Sequence, residues 1–163
     1  MMKKLYILRH GKSSWDMEVN DYDRPLKKKG IDDAYKLSLK LLNDNYPLPD
    51  CIVSSSAIRA VHTGLILCKV LKYKLDNFFI VERLYEISPE KLVQFLSKTN
   101  DKFNSMMIIG HNPTFTEVAN YYLSESIDNI PTCGLIVLTF NVESWEKIEK
   151  HKVKDSKFYF FEE

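Results

Sequence analysis

A chain of 163 residues is the size of one domain with room for a sizeable core. Its 45% hydrophobic and 28% charged residues exclude extensive disorder. A formal charge of +1 argues against nucleic acid or an anionic membrane as partner, so any basic site has to be local. No stretch approaches transmembrane length, and the apolar run after the basic start is too short for a secretory signal, which points to the cytoplasm. Cys51, Cys68 and Cys133 are odd in number and form no CxxC pair, so they read as reduced, buried thiols and not as a disulfide framework or a zinc site.

The first element is a short apolar run, Leu5-Tyr6-Ile7-Leu8, that predicts a buried strand and breaks into Arg9-His10-Gly11. Gly11 allows a tight turn and a close approach by a ligand. Residues 12–23 alternate polar and aromatic and predict a loop. Gly11-Lys12-Ser13 has the look of a nucleotide-binding P-loop tail, but Tyr6 stands where that pattern needs glycine. Arg24-Pro25-Leu26 then opens a helix running to about Asn43, with Ile31, Ala34, Ser38, Leu41 and Leu42 at helical spacing and Gly30 weakening it slightly. Lys27-Lys28-Lys29 reads as a solvated helix face and not as a phosphate clamp.

Residues 50–54 predict a second strand, and Ser54, Ser55 and Ser56 are placed to cap the helix that follows, whose apolar face runs from Ala57 to Leu71. Arg59 in its first turn sits at the positive end of the helix dipole, where a bound anion would explain it. His62, one turn on, reads as an ordinary helical histidine. Residues 78–81 predict a third strand, then a loop with Glu86, then a helix capped by Ser88 and opened by Pro89. Residues 106–109 predict a fourth strand that ends in Gly110-His111-Asn112-Pro113. With Asn112 as cap and Pro113 as first helical residue, His111 would face the free amides of a helix N-terminus, a ready anion site. Residues 135–140 predict a fifth strand, with residues 157–161 pairing beside it at the sheet edge.

Alternating strands and helices predict an α/β fold, a doubly wound, mostly parallel sheet in a three-layer sandwich with an antiparallel edge strand. Parallel strands bring their carboxyl ends to one sheet edge, so Arg9, His10, Arg59, Glu86 and His111 should converge there on a pocket for a dianion, with phosphate the obvious occupant. Neutral imidazole is a nucleophile near neutral pH. His10 would attack phosphorus, Arg9 and Arg59 would hold the equatorial oxygens, a protonated His111 would add a third positive donor, and water would release the phosphohistidine. The sequence offers no carboxylate cluster for a metal, and no cofactor is expected. Glu86 is either the acid that protonates a leaving group or an exposed loop carboxylate.

Arg9-His10-Gly11, the serine-rich turn with Arg59, and Gly110-His111-Asn112-Pro113 resemble, in spacing and order, the histidine phosphatase superfamily with its phosphoglycerate mutase-like fold. The resemblance implies one histidine phosphatase domain over 1–163, a phosphohistidine at His10, phosphate binding by Arg9 and Arg59, and His111 as the second active-site histidine. Residues 12–16, Asp23-Arg24-Pro25-Leu26 and Gly30 are similar to the short phosphohistidine phosphatases of the SixA type, which places Arg24 near the pocket. One departure is Asp16, in a loop where the mutases and sugar phosphatases carry asparagine. Only a loop and one helix separate the third and fourth strands, so no large lid roofs the pocket. An open site suits a phosphohistidine on a protein; small phosphate esters or nucleotides, and a non-catalytic phosphate-binding module, are the alternatives. Mutase activity is the least expected, because it needs a closed site.

Overall fold

The computed structural model describes residues 2–161. Strands β1 (Lys3–Arg9), β2 (Cys51–Ser55), β3 (Phe78–Val81), β4 (Ser105–Gly110), β5 (Leu135–Phe140) and β6 (Asp155–Tyr159) form one sheet in the order β3-β2-β4-β1-β5-β6. The first four strands are mutually parallel. The chain reverses at β5, which runs antiparallel to β1, and β6 closes the edge antiparallel to β5. The α/β sandwich is thus the expected one, although the reversal lies one strand inside the edge. β6 also starts two residues before the expected 157–161.

Period-two alternation divides the core between the two sheet faces. Leu5, Ile7, Met106, Ile108, Ile136 and Leu138 point to helices α3 (Pro89–Ser97) and α4 (Thr114–Tyr122). Tyr6, Leu8, Met107, Ile109, Leu135 and Val137 point the other way, to α1 (Lys28–Asn43) and α2 (Ile58–Leu71). Burial on both faces explains why these strands read as unbroken apolar runs. Cys51, Cys68 and Cys133 are free and buried, and among the described residues no helix is long and apolar enough to cross a membrane.

Three helix starts differ from expectation. α1 begins at Lys28, because Arg24-Pro25-Leu26 is drawn into an extended pairing: Leu26 bridges Ser13, and Ser14 N–H donates to the Pro25 carbonyl at 2.8 Å. Within α1 the buried stripe takes in Leu37, while Leu42 points outward. No serine caps α2. Ala57 holds that position without a side-chain bond, since the Ser55 hydroxyl turns back to the Ala57 N–H and to His111. α4 starts at Thr114, with Pro113 and not Asn112 at the capping position; Asn112, one residue earlier, still accepts from the Thr116 N–H through Oδ1 at 3.2 Å. α3 is as expected, with Ser88 accepting from Lys91 N–H ahead of Pro89.

Candidate active site

Each parallel strand delivers its piece at the carboxyl edge. β1 ends in Arg9 and His10, β4 leads into His111, and Arg59 lies one residue inside α2, just beyond β2. After β3 a single 3-10 turn, Glu82–Leu84, leads to Tyr85 and Glu86. All six residues singled out in the sequence, Arg9, His10, Arg24, Arg59, Glu86 and His111, line one cavity of about 800 Å³. Its wall carries five cationic side chains, with Lys12 and Lys27 joining the three arginines, against the carboxylates of Asp21 and Glu86. The local basic site that a chain of near-zero net charge requires is here. Lys28 and Lys29, by contrast, pair with Asp32 and Asp33 along α1. His62 stays outside the cavity.

His10 is 8% exposed, and its ring is fixed at both nitrogens. Nδ1 lies 2.6 Å from the Gly11 carbonyl. A carbonyl only accepts, so Nδ1 carries the proton and the neutral ring keeps its lone pair on Nε2. That nitrogen accepts from Arg59 Nε at 3.3 Å. Burial, reinforced by His111 and the guanidinium groups of Arg59 and Arg9, pushes the His10 pKa down to about 3. The imidazole of His111 lies with its centroid 5.1 Å from that of His10, and its Nε2 is 2.8 Å from Ser55 Oγ. Burial first, then Arg59, lowers its pKa to about 4. His111 is therefore neutral near pH 7 in the unliganded site, and the protonated donor expected during phosphoryl transfer has to form when a ligand binds. An arriving dianion would favour its protonation.

The arginines are organised by a residue that the sequence reading passed over. Asp21, in the 3-10 turn Asp21–Asp23, accepts from Arg59 Nη2 at 3.0 Å, from Arg24 Nε at 3.0 Å and from the Tyr85 hydroxyl at 2.6 Å. Its backbone carbonyl takes a further bond from Arg59 Nη1 at 2.6 Å. The Tyr85 bond, with those from Arg59 and Arg24, holds the Asp21 carboxyl well below the usual carboxylate range. Burial, with Asp21 beside it, pushes the Tyr85 hydroxyl up to about 12. Arg24 also donates to Ser13 Oγ at 2.7 Å and stacks on the exposed Trp15 ring at 3.4 Å. Arg59 is 5% exposed, so it is no surface residue, and Arg24 is 7% exposed. Arg9 reaches the Ile130 carbonyl through Nη1. The sequence signal for Asp21 was an acidic residue three positions before Arg24, hidden in a loop that also holds Asp16 and Asp23.

Two local expectations change. The amides opening α4 are largely engaged, Phe115 N–H with the His111 carbonyl and Thr116 N–H with Asn112, so that helix end is not an open anion site. Gly11 is needed not for a left-handed turn, since no glycine has positive φ, but for close approach: a Cβ there would lie 2.8 Å from the Gly30 carbonyl. Among the described residues no group of three His, Cys, Asp or Glu side chains is gathered as metal ligands.

A mostly parallel sheet whose carboxyl edge presents a neutral imidazole, a second imidazole and three arginines has the charge and donors to take a phosphoryl group. The chain belongs to the histidine phosphatase superfamily (branch 1), whose sequence profile matches residues 5–93. It is 32% identical over 158 residues to an uncharacterised chloroplastic protein of Arabidopsis thaliana, covering 89% of this chain and 70% of that one. A crystal structure from Agrobacterium tumefaciens, described as a phosphohistidine phosphatase, SixA, superposes with a TM-score of 0.77 at 26% identity, over 85% of this chain and 92% of that one. The protein histidine phosphatase SixA complexed with tungstate shares the fold, with a TM-score of 0.77 at 19% identity over 96% and 94% of the two chains.

Proposed function

We propose that the protein is a phosphatase working through a phosphohistidine on His10, and that its substrate is a phosphohistidine on another protein. The observation that carries this reading is the state of His10: Nδ1–H is committed to Gly11, and Nε2 keeps its lone pair in the wall of the cationic cavity, held by a long bond from Arg59 Nε that an incoming phosphoryl group would replace. The Nε2 lone pair attacks phosphorus in line, the bond from phosphorus to the leaving nitrogen breaks, and the departing imidazole takes up a proton. Arg9, Arg24 and Arg59 hold the three equatorial oxygens and His111, protonated as the dianion binds, adds another donor. Water then attacks phospho-His10, releasing inorganic phosphate and restoring the free imidazole. None of these steps asks anything of a metal or cofactor.

The short connection between β3 and β4, a 3-10 turn and one nine-residue helix, supports access by a side chain on a protein surface. The buried thiols are in keeping with a reducing cytoplasm. One observation favours the alternative, hydrolysis of small phosphate esters: Glu86 lines the cavity, where a carboxyl group would serve a poorer leaving group.

The test compares kcat/KM on a phosphohistidine-bearing protein and on a panel of small phosphate monoesters, with His10→Ala as the blank. Higher kcat/KM on the protein is expected, with a loss of at least about 10³-fold in the blank. Glu86→Gln should then change kcat by less than about threefold, because protonated imidazole leaves readily. A faster ester that also depends on Glu86 would move the assignment to metabolism. Undiminished binding of tungstate with no turnover to lose would make the protein a phosphate-binding module.

A further inference from the structure

A second cavity, of about 510 Å³, opens beside the first on the α3 side of the sheet. Glu86 and Ile87 line both, so the two adjoin. The floor of the second is apolar, with Val53 of β2 and Met106 of β4, and Phe79, Phe95 and Phe103 stand along its walls. Its rim is cationic on balance: Arg83, Lys91 and Lys98 are all exposed, against the single carboxylate of Glu86 at the end next to the first cavity. Phe79 is 43% exposed because α3 leaves this edge of the sheet uncovered.

The uncovered edge is unusual for its chemistry. Free sheet edges are normally blunted by charge. The opposite edge obeys the rule, with Asp155 and Lys157 in β6, whereas β3 is Phe78-Phe79-Ile80-Val81 with no charged residue. Such a surface with three cations around it is complementary to an acidic segment that carries apolar side chains. It is ill suited to a second copy of this chain, which would bring the same three cations face to face.

We propose that this groove docks an acidic, amphipathic segment of the phosphorylated partner protein, next to the residue whose phosphoryl group enters the His10 cavity. The inference rests on the reading of the site as a phosphatase for phosphorylated proteins. Docking places the selectivity for a protein substrate in the groove and leaves the chemistry to the cavity.

The experiment uses two peptides of equal length, each with one phosphohistidine, one flanked by Glu and Leu and the other by Lys and Leu. Free phosphohistidine serves as the reference substrate. The acidic peptide should show about tenfold higher kcat/KM, expressed in KM. The double variant Lys91→Glu/Lys98→Glu should abolish that preference while turnover of free phosphohistidine is unchanged. Both lysines are exposed, and an unaltered thermal melt checks that the fold is intact. Equal kcat/KM for the two peptides, or a preference that survives the double variant, overturns the docking site and leaves the phosphohistidine reading standing. Failure of that reading shows differently, as turnover of small esters without turnover of free phosphohistidine. The same flanks placed on phosphoserine peptides then decide the groove alone.

Discussion

Asp21 spends one carboxylate on two arginines and a tyrosine that come from three different segments. A guanidinium buried as deeply as that of Arg59 needs a fixed partner, and sharing the partner fixes its distance from Arg24 as well. Asp21→Ala should therefore lower kcat/KM by about tenfold to a hundredfold, since small displacements of positioning groups cost that much. Steady-state kinetics at full activity would remove Asp21 from the machinery. The state of His10 is testable at the same scale. Histidine ring ¹⁵N shifts should show His10 as the neutral Nδ1–H tautomer, with both His10 and His111 staying largely neutral on going from neutral to about pH 5, given values of about 3 and 4. A His10 midpoint at the ordinary 6.5 would contradict the burial argument.

At the scale of elements, the β1 exit loop and the start of α1 are held together by missing side chains. A Cβ on Gly30 would collide with the Lys12 carbonyl oxygen, so Gly30→Ala must push that loop away from α1. The expected cost is about 1–3 kcal/mol by overpacking, read from denaturant unfolding, although alanine is the better helix former. A stabilised variant would show that the loop yields freely. The sequence registers Gly30 only as a weak point of a helix, because the residue it accommodates lies 18 positions earlier in the chain. The same limitation applies to the caps. Ser55 is a good capping residue by type, but a hydrogen bond to His111, 56 positions away, decides where its hydroxyl goes. The inner strands β1, β2, β4 and β5 were legible to within two residues, since burial on both faces leaves apolar runs, whereas the exposed edge strand β6 lies two residues from its expected place.

For the whole molecule, the two buried imidazoles tie stability to pH. Both have folded-state pKa values below the unfolded value of about 6.5. Between those values the unfolded chain binds more protons, so their contribution is fully present above about pH 6.5 and is lost as pH falls toward 4 and then 3. The thermal midpoint should drop across that acid range, and less steeply in His10→Ala/His111→Ala. Equal slopes in the two proteins would place the acid sensitivity elsewhere.

The sequence by itself determined the order of the elements, the mostly parallel sheet and the convergence of Arg9, His10, Arg59 and His111, because apolar period and the alternation of strand and helix are local properties with one global consequence. Only the tertiary structure decided the ionisation of the histidines, the partnership of Asp21 with both arginines and Tyr85, and the uncovered groove beside β3. Those depend on burial and on distances between segments remote in the chain, and neither quantity is written in any one stretch of it.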